Sequence, residues 1–479
     1  MDWWLLSPEI IVATLALVLL ILDFLLPAGV DRKKMGVFAL IGLLAALLAT
    51  LDIAGSKGQL FGGLLAVDNL SLFFKIIFIL AAICVFLLAH DYLEKVPGHR
   101  GEFYWLTLTA LLGMMITAAS SELITIYIGI ELMSLSFYPL VGCLKKNKAS
   151  TEAALKYFIL GSFAIAVWLY GAAILYGLTG TTDLAKIAAG LGKEAGPLMY
   201  FGLFLLLAGF GFKMGLVPFH MWVPDTYEGA PTPVTAYLAV GSKAAGFAVF
   251  LRLMFTAFPA LYARWMVWLG ILAVLTMTWG NIAALRQSNI KRLLAYSAIA
   301  HAGYTLIGVI SFNATGAAAI MFYLFGYLFA NLGAFAVVIA FANATGSEHI
   351  ADYAGLRWRN PFLAFCLALC LLSLAGIPPL TGFFGKLYLF LGALERGGWL
   401  LTLVIIAAIN SAISLFYYVN VIRTMYLLPP KDTGELKSSP LLNFTLVVTV
   451  AGVLLALFYF QPLIGALQAN DLMSAAWLK

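Results

Sequence analysis

Apolar residues run along this chain in blocks of about 20, the length that crosses a hydrocarbon core as a helix. Marked by apolar content and by the Gly, Pro and charged residues between them, the blocks fall at 8–27, 35–54, 69–90, 103–119, 122–143, 152–178, 197–221, 231–256, 263–284, 290–310, 317–343, 361–394, 400–428 and 440–465. The pattern predicts an all-α membrane protein of about fourteen helices with short connections, one polytopic domain over residues 1–479. Two blocks are interrupted. One holds Gly209, Gly211, Gly215 and Pro218 around Lys213, and the other holds Gly376, Pro378, Pro379, Gly382 and Gly385 before Lys386. Proline removes a backbone donor and clashes with the preceding turn. At membrane depth the freed carbonyls are tolerated only inside protein or beside a wet cavity, so broken helices in two halves of a chain point to a transport site.

Composition narrows the class. The chain is 63% hydrophobic and 10% charged, with a mean hydropathy of +1.00, which excludes a water-soluble domain of this size. The start, Met1-Asp2-Trp3-Trp4, has no basic region, so residues 8–27 are expected to be a retained helix and not a signal peptide. Connections after odd-numbered blocks carry most of the Lys and Arg, including Arg32-Lys33-Lys34, Lys145-Lys146-Lys148 and Lys291-Arg292. The positive-inside rule then places both termini outside the cytoplasm. The net charge of +6 is thereby a topology signal, with no nucleic-acid partner implied.

Five lysines, Lys75, Lys156, Lys213, Lys243 and Lys386, sit inside these apolar blocks, as does one carboxylate, Glu131. A charge held in hydrocarbon is costly and marks an ion or proton route where it faces a partner or water. Burial and a cationic neighbour make a lysine release its proton more readily, and a nearby carboxylate makes it hold on. Lys213 paired with Glu131 is therefore expected to load and discharge. Lys243 and Lys386 have no acidic neighbour in sequence and are expected to extend the path. Lys156 lies four residues after Glu152 and is expected to form a local pair near the cytoplasmic mouth. Lys75 lies six residues into its helix and is expected to snorkel to the interface, outside the path. His301 can relay protons or bridge helices, and His220 can relay or fix the loop that follows the first break.

Polar stripes at helical spacing accompany these charges: Glu131, Ser134 and Tyr138; Ser297, His301 and Tyr304; Tyr323, Tyr327 and Asn331; Asn410, Ser414 and Tyr417. Such groups bridge helices or, together, hold a chain of water molecules. Cys84, Cys143, Cys366 and Cys370 lie within predicted helices; two thiols sharing a face do not close a zinc site, and buried free thiols are expected. No flavin, nucleotide or iron–sulfur motif is present, so any redox cofactor is expected in other polypeptides.

The stretch KMGLVPFHMWVPDTYEGAPTPVTAYLAVGSK from Lys213 to Lys243, with the AAGF that follows, resembles the signature of the antiporter-like, proton-pumping membrane subunits of respiratory complex I. EAALKYFILGSFA at 152–164, QSNIKRLLAYSAIAHAGY at 287–304 and the LSLAGIPPLTGFFGK run ending at Lys386 agree, and the resemblance covers nearly the whole chain. It implies two inverted five-helix repeats, roughly 103–256 and 263–428, each with a broken helix, after three N-terminal helices in 1–100 and before a last helix at 440–465. It implies proton transfer through Glu131, Lys213, Lys243 and Lys386, coupled to quinone reduction elsewhere. NADH, FMN, iron–sulfur clusters and quinone would sit in partner subunits, and the location would be a bacterial cell (inner) membrane. Related motifs occur in monovalent cation/proton antiporters and membrane-bound hydrogenases, and a passive membrane scaffold is the rival of a different class.

Overall fold

The apolar blocks become helices whose ends are set by a few polar and glycine residues. The structure, a computed structural model, describes residues 2–27, 32–94, 100–190, 196–432, 434–455 and 465. The first spans are α1 (Ser7–Leu25), α2 (Lys33–Asp52) and α3 (Asn69–Glu94). They are followed by α4 (Arg100–Ala119), α5 (Leu123–Val141) and α6 (Lys148–Thr179). A short α7 (Leu184–Gly190) leads to α8 (Pro197–Met214) and α9 (Trp222–Gly229). The next crossing is composite: α10 (Thr232–Tyr237), a π-helical turn over Leu238–Ser242, and α11 (Lys243–Thr256). Then come α12 (Tyr262–Ala284), α13 (Ile290–Ser311) and α14 (Ala314–Thr345). The short α15 (Leu356–Arg359) precedes α16 (Pro361–Ala375), α17 (Thr381–Arg396), α18 (Leu400–Leu427) and α19 (Pro440–Leu454).

A helix start leaves backbone N–H groups without internal partners. Here Asn147, Asn289, Asn313, Asn360 and Ser439 accept hydrogen bonds from those groups at the starts of α6, α13, α14, α16 and α19, while Glu122 does so for α5. Among the described residues twelve helices are long and apolar enough to cross a membrane, and Pro361–Ala375 and Pro440–Leu454 are shorter apolar helices. Together they match the fourteen expected positions.

The differences from the sequence reading are local. The block at 361–394 is two helices, and the block at 197–221 stops at Met214, because both breaks are complete interruptions and not kinks. The end of the expected last helix, residues 456–464, lies outside the described residues. A small hairpin, β1 (Gly58–Leu60) against β2 (Leu65–Val67), caps the connection between α2 and α3. The composite crossing α10–α11 is wholly buried, and α13 and α14 nearly so, whereas α6 and α12 show most of their surface. The crossings at the centre are the ones that carry Lys243, His301 and the tyrosines of α14.

Candidate functional site

Each break is closed in the same way on its N-terminal side. At the first, Gly215 takes a left-handed conformation (φ 73°), so that its N–H bonds Phe212 O at 3.0 Å and Leu216 N–H bonds Gly211 O at 2.8 Å. At the second, Gly376 (φ 89°) does the same: its N–H reaches Ser373 O at 2.9 Å, and Ile377 N–H reaches Leu372 O at 3.1 Å.

The remaining groups are met differently. At the first break the Trp222 indole donates to Phe212 O at 2.9 Å, and Val217 N–H donates to Thr276 Oγ1 at 3.0 Å. At the second the ammonium of Lys386 itself caps the helix, donating to Ala375 O at 2.9 Å, Leu374 O at 3.1 Å and Ser411 Oγ at 2.9 Å. A cation at a helix C-terminus is favoured by the partial negative charge of its free carbonyls. Gly376 leaves room for it, since a Cβ there would stand 3.3 Å from Lys386 Nζ. The Tyr304 ring covers the same ammonium at 4.9 Å.

Lys213, in the last turn of α8, donates to Ser134 Oγ on α5, while the Ser134 hydroxyl donates to Ile130 O. Glu131 is on α5 three residues before Ser134. The two charges are near enough to interact, but they form no ion pair: Ser134 holds the ammonium, and Glu131 Oε1 is buried with no protein partner. The expected pair of Glu131 and Lys213 is therefore one of nearby charges that interact without a direct bond, the ammonium being held by Ser134. Lys243, immediately after the π-helical turn, donates to Ala298 O on α13, one turn from His301.

The His301 ring lies between two tyrosine hydroxyls, with Nδ1 against Tyr323 and Nε2 3.2 Å from Tyr418, whose hydroxyl also meets Ser297. Beyond them Asn281 donates to Tyr304 Oη at 3.0 Å and to Asn410 Oδ1 at 3.2 Å, and accepts from Tyr417 Oη at 3.1 Å. Lys213, Lys243, His301 and Lys386 are all 4–6% exposed. Three of the four expected polar stripes therefore turn inward onto the basic residues: Ser134 meets Lys213, Tyr323 meets His301, and Tyr304 meets Lys386.

Lys156 has a side chain that is 43% exposed. It pairs with Glu152 at 2.8 Å, and also with Asp225 at 2.7 Å. Asp225 lies on α9, between the spans Pro197–Met214 and Thr232–Thr256. Its other oxygen accepts from Arg292 of α13 at 2.9 Å, and Arg292 also bonds Glu228 at 2.8 Å. Burial raises the pKa of the Asp225 carboxyl, but the bonds and charges of Lys156 and Arg292 outweigh it and hold the group below the usual carboxylate range. A cavity of about 210 Å³ opens among these residues.

Lys75 does not snorkel. Its ammonium meets Glu9 of α1 at 2.6 Å, and the two side chains are 1% and 6% exposed. Periodicity within α1 and α3 carries no register between them, and Glu9, at the very start of its helix, reads as a terminal charge. His220 is buried, with Nδ1 unpartnered and its ring beside Trp279; no contact joins it to the lysines. Sequence reasoning also missed Asn281, Ser411 and Tyr418. A lone amide in the apolar run of α12 is the signal that would have found the first.

Comparison with known proteins agrees with this geometry. Residues 120–414 match the family described as NADH:quinone oxidoreductase/Mrp antiporter, TM. The NADH-quinone oxidoreductase subunit N of Trichlorobacter lovleyi is 45% identical over 94% of this chain and 92% of its own length. A chain of respiratory complex I from Thermus thermophilus, solved with bound aureothin, superposes with a TM-score of 0.82 at 35% identity, over 97% of this chain and 100% of that one. A chain of the Mrp complex from Dietzia sp. DQ12-45-1b has a TM-score of 0.86 at 21% identity, over 100% of this chain and 99% of that one, a likeness of fold. Identity at this level over nearly the full length shows that the chain belongs to the NADH-quinone oxidoreductase subunit N family.

Proposed function

We propose that this chain is a proton-translocating membrane subunit of an NADH:quinone oxidoreductase, in which quinone reduction by partner subunits drives protons through the buried side chains of this one. The observation that carries the reading is the row Lys213, Lys243, His301 and Lys386. These basic groups are buried in membrane-spanning helices, and each is held by hydroxyl or carbonyl oxygens with no carboxylate in direct contact. A buried ammonium without a counter-ion is poised to lose its proton, and a carboxylate such as Glu131, close but not bonded, biases that balance.

In this reading protons enter at the Lys156–Asp225–Arg292 mouth and load Lys213. They pass by Lys243 and His301 and leave from Lys386. NADH, FMN, iron–sulfur clusters and quinone belong to the partner subunits. The chain lies in a bacterial inner membrane with both termini on the non-cytoplasmic side, and residues 103–256 and 263–428 act as two inverted repeats. The relatives named subunit N support this over a free-standing cation/proton antiporter, because the Mrp likeness is one of fold.

Lys213→Ala and Glu131→Ala are expected to leave the complex assembled and to cut proton pumping in membrane vesicles, about tenfold for Lys213. Full pumping by both variants would overturn the reading and favour a scaffold. Sodium-dependent exchange with neither quinone nor reductant would favour the antiporter.

A further inference from the structure

The face of α12 that takes no part in the site described above is not flat. A cavity of about 430 Å³ opens between α12 and the start of α18, lined by Val267, Gly270, Ile271, Val274, Leu275 and Trp399. Gly270 makes the hollow: a Cβ there would collide with the Trp399 indole, so the ring lies against the backbone of α12. Trp399 is carried by a tight turn after α17, where Gly397 and Gly398 hold positive φ values of 74° and 63°. Val267, Ile271 and Leu275 recur at helical spacing and are exposed, so one wall of the hollow is a row of unpartnered aliphatic side chains.

The charged groups sit at one end only. Arg264 lies one turn before Val267 and two before Ile271, so it stands on the same helix face, just beyond the hollow. It is exposed, with no ion pair among the described residues. Arg396, in the last turn of α17, lies over the Tyr262 ring at 4.6 Å, and no carboxylate pairs with it among the described residues. Glu395 beside it meets Asn313 Nδ2 at 3.4 Å. Neither α12 nor α18 contains an Asp or Glu. From Arg264 to Leu275 the helix rises about 16 Å, close to the roughly 15 Å of hydrocarbon in one leaflet.

We propose that this hollow is a seat for one anionic phospholipid, with an acyl chain along Val267, Ile271 and Leu275 and its phosphate at Arg264 and Arg396. The leaflet is the one in which α12 and α18 begin, non-cytoplasmic in the orientation given above. Charge and depth both match. A guanidinium pairs with a phosphate through parallel N–H donors, and basic side chains at the interface draw anionic headgroups. A tryptophan at the rim suits the headgroup boundary. A helix of a partner subunit fits less well, since it would run along all of the roughly 30 Å of hydrocarbon, whereas the hollow stops halfway along α12 at Leu275. Arg396 ends the helix of Lys386 and Trp399 precedes the helix of Ser411, so the lipid fastens those helix ends to α12. The seat is independent of the proton route, and either can fail without the other.

The test places the purified complex in vesicles holding a phosphatidylglycerol with a photoactivatable diazirine in its acyl chain, or the matched phosphatidylcholine, and maps the labelled peptides. Label from the anionic probe is expected in residues 264–275, at about fivefold the level from the zwitterionic one. Arg264→Gln is expected to lower that label about fivefold, and Arg264→Gln with Arg396→Gln to lower it further. Ile271→Trp fills the hollow and is expected to abolish the label with both arginines in place. Equal labelling by the two probes, or no loss in the double arginine variant, would overturn the proposal by showing bulk lipid only. No label from either probe would overturn it as well, and would mean that a partner helix covers this face. Should a variant fail to assemble, the comparison of the two probes on the wild-type complex decides the matter by itself.

Discussion

The two helix breaks have the same backbone closure but assign their lysines different work. At the first, an indole and a threonine hydroxyl satisfy the freed backbone, and Lys213 is left to bond a side chain, Ser134, with Glu131 close by. At the second, Lys386 is the cap: two main-chain carbonyls and Ser411 hold it, and no carboxylate lies among its partners. The first lysine can change its proton without disturbing the break. The second changes its proton at the break itself, because its amine is part of what closes the end of α16. A loading group with an acid nearby and a terminal group wired into the backbone are what a directional transfer would use.

The largest expected difference is between Lys386→Ala and Lys213→Ala. Removing Lys386 strands Leu374 O and leaves Ala375 O only the long 3.3 Å bond from Ser411 Oγ, at about 1–3 kcal/mol for an unsatisfied group, so this variant should lose both pumping and assembled complex. Lys213→Ala should lose pumping alone. Native gels beside vesicle pumping measure this, and equal abundance of the two complexes would show that the breaks are equivalent after all.

A smaller contrast lies in the serines. Ser134→Ala removes the one direct acceptor of Lys213, whereas Ser411→Ala leaves Lys386 two carbonyls. The first should reduce pumping several-fold, by about 1–2 kcal/mol of lost charge-assisted bonding, and the second by less than half that. The ratio of the two pumping rates is the readout, and a larger effect at Ser411 would reverse the assignment.

The smallest effect belongs to the mouth. Asp225 has its pKa depressed in the folded protein, so its ion pairs contribute stability that is present above the ordinary carboxylate value of about 3.9 and lost as pH falls through the lowered one. Asp225→Asn should therefore lower the thermal unfolding temperature of the solubilised complex by a similar small amount at every pH from about 6 to 8, with the gap closing only in acid. A gap that varies across the neutral range would show that Asp225 titrates there.

Much of this was readable from residues alone. A lysine in the middle of an apolar run has nowhere to go but inward, so Lys213, Lys243 and Lys386 were findable one at a time. Glycine and proline around the first and third announced the breaks for the same reason. What could not be read is whatever depends on how two helices register. Ser134 beside Lys213, Ala298 under Lys243 and Asp225 beside Lys156 are neighbours only after packing. Periodicity along one helix says which face a group is on, not which residue meets it. Lys75 shows the limit most clearly, since its position near a helix end suited escape to the surface, and only the placement of α1 brings Glu9 to it. The π-helical turn has no signature in composition, because its extra residue is fitted by the neighbours of α10 and not by its own sequence.

The Lys75–Glu9 contact bears on how the chain is built into the bilayer. Either charge alone in hydrocarbon is unfavourable by a few kcal/mol, and together, at 2.6 Å, they offset one another. During synthesis α1 emerges long before α3, carrying an acid that has no base to meet. The pair therefore sets α1 against α3 through a contact that neither helix could satisfy alone, and removing one charge would leave the other buried without its partner.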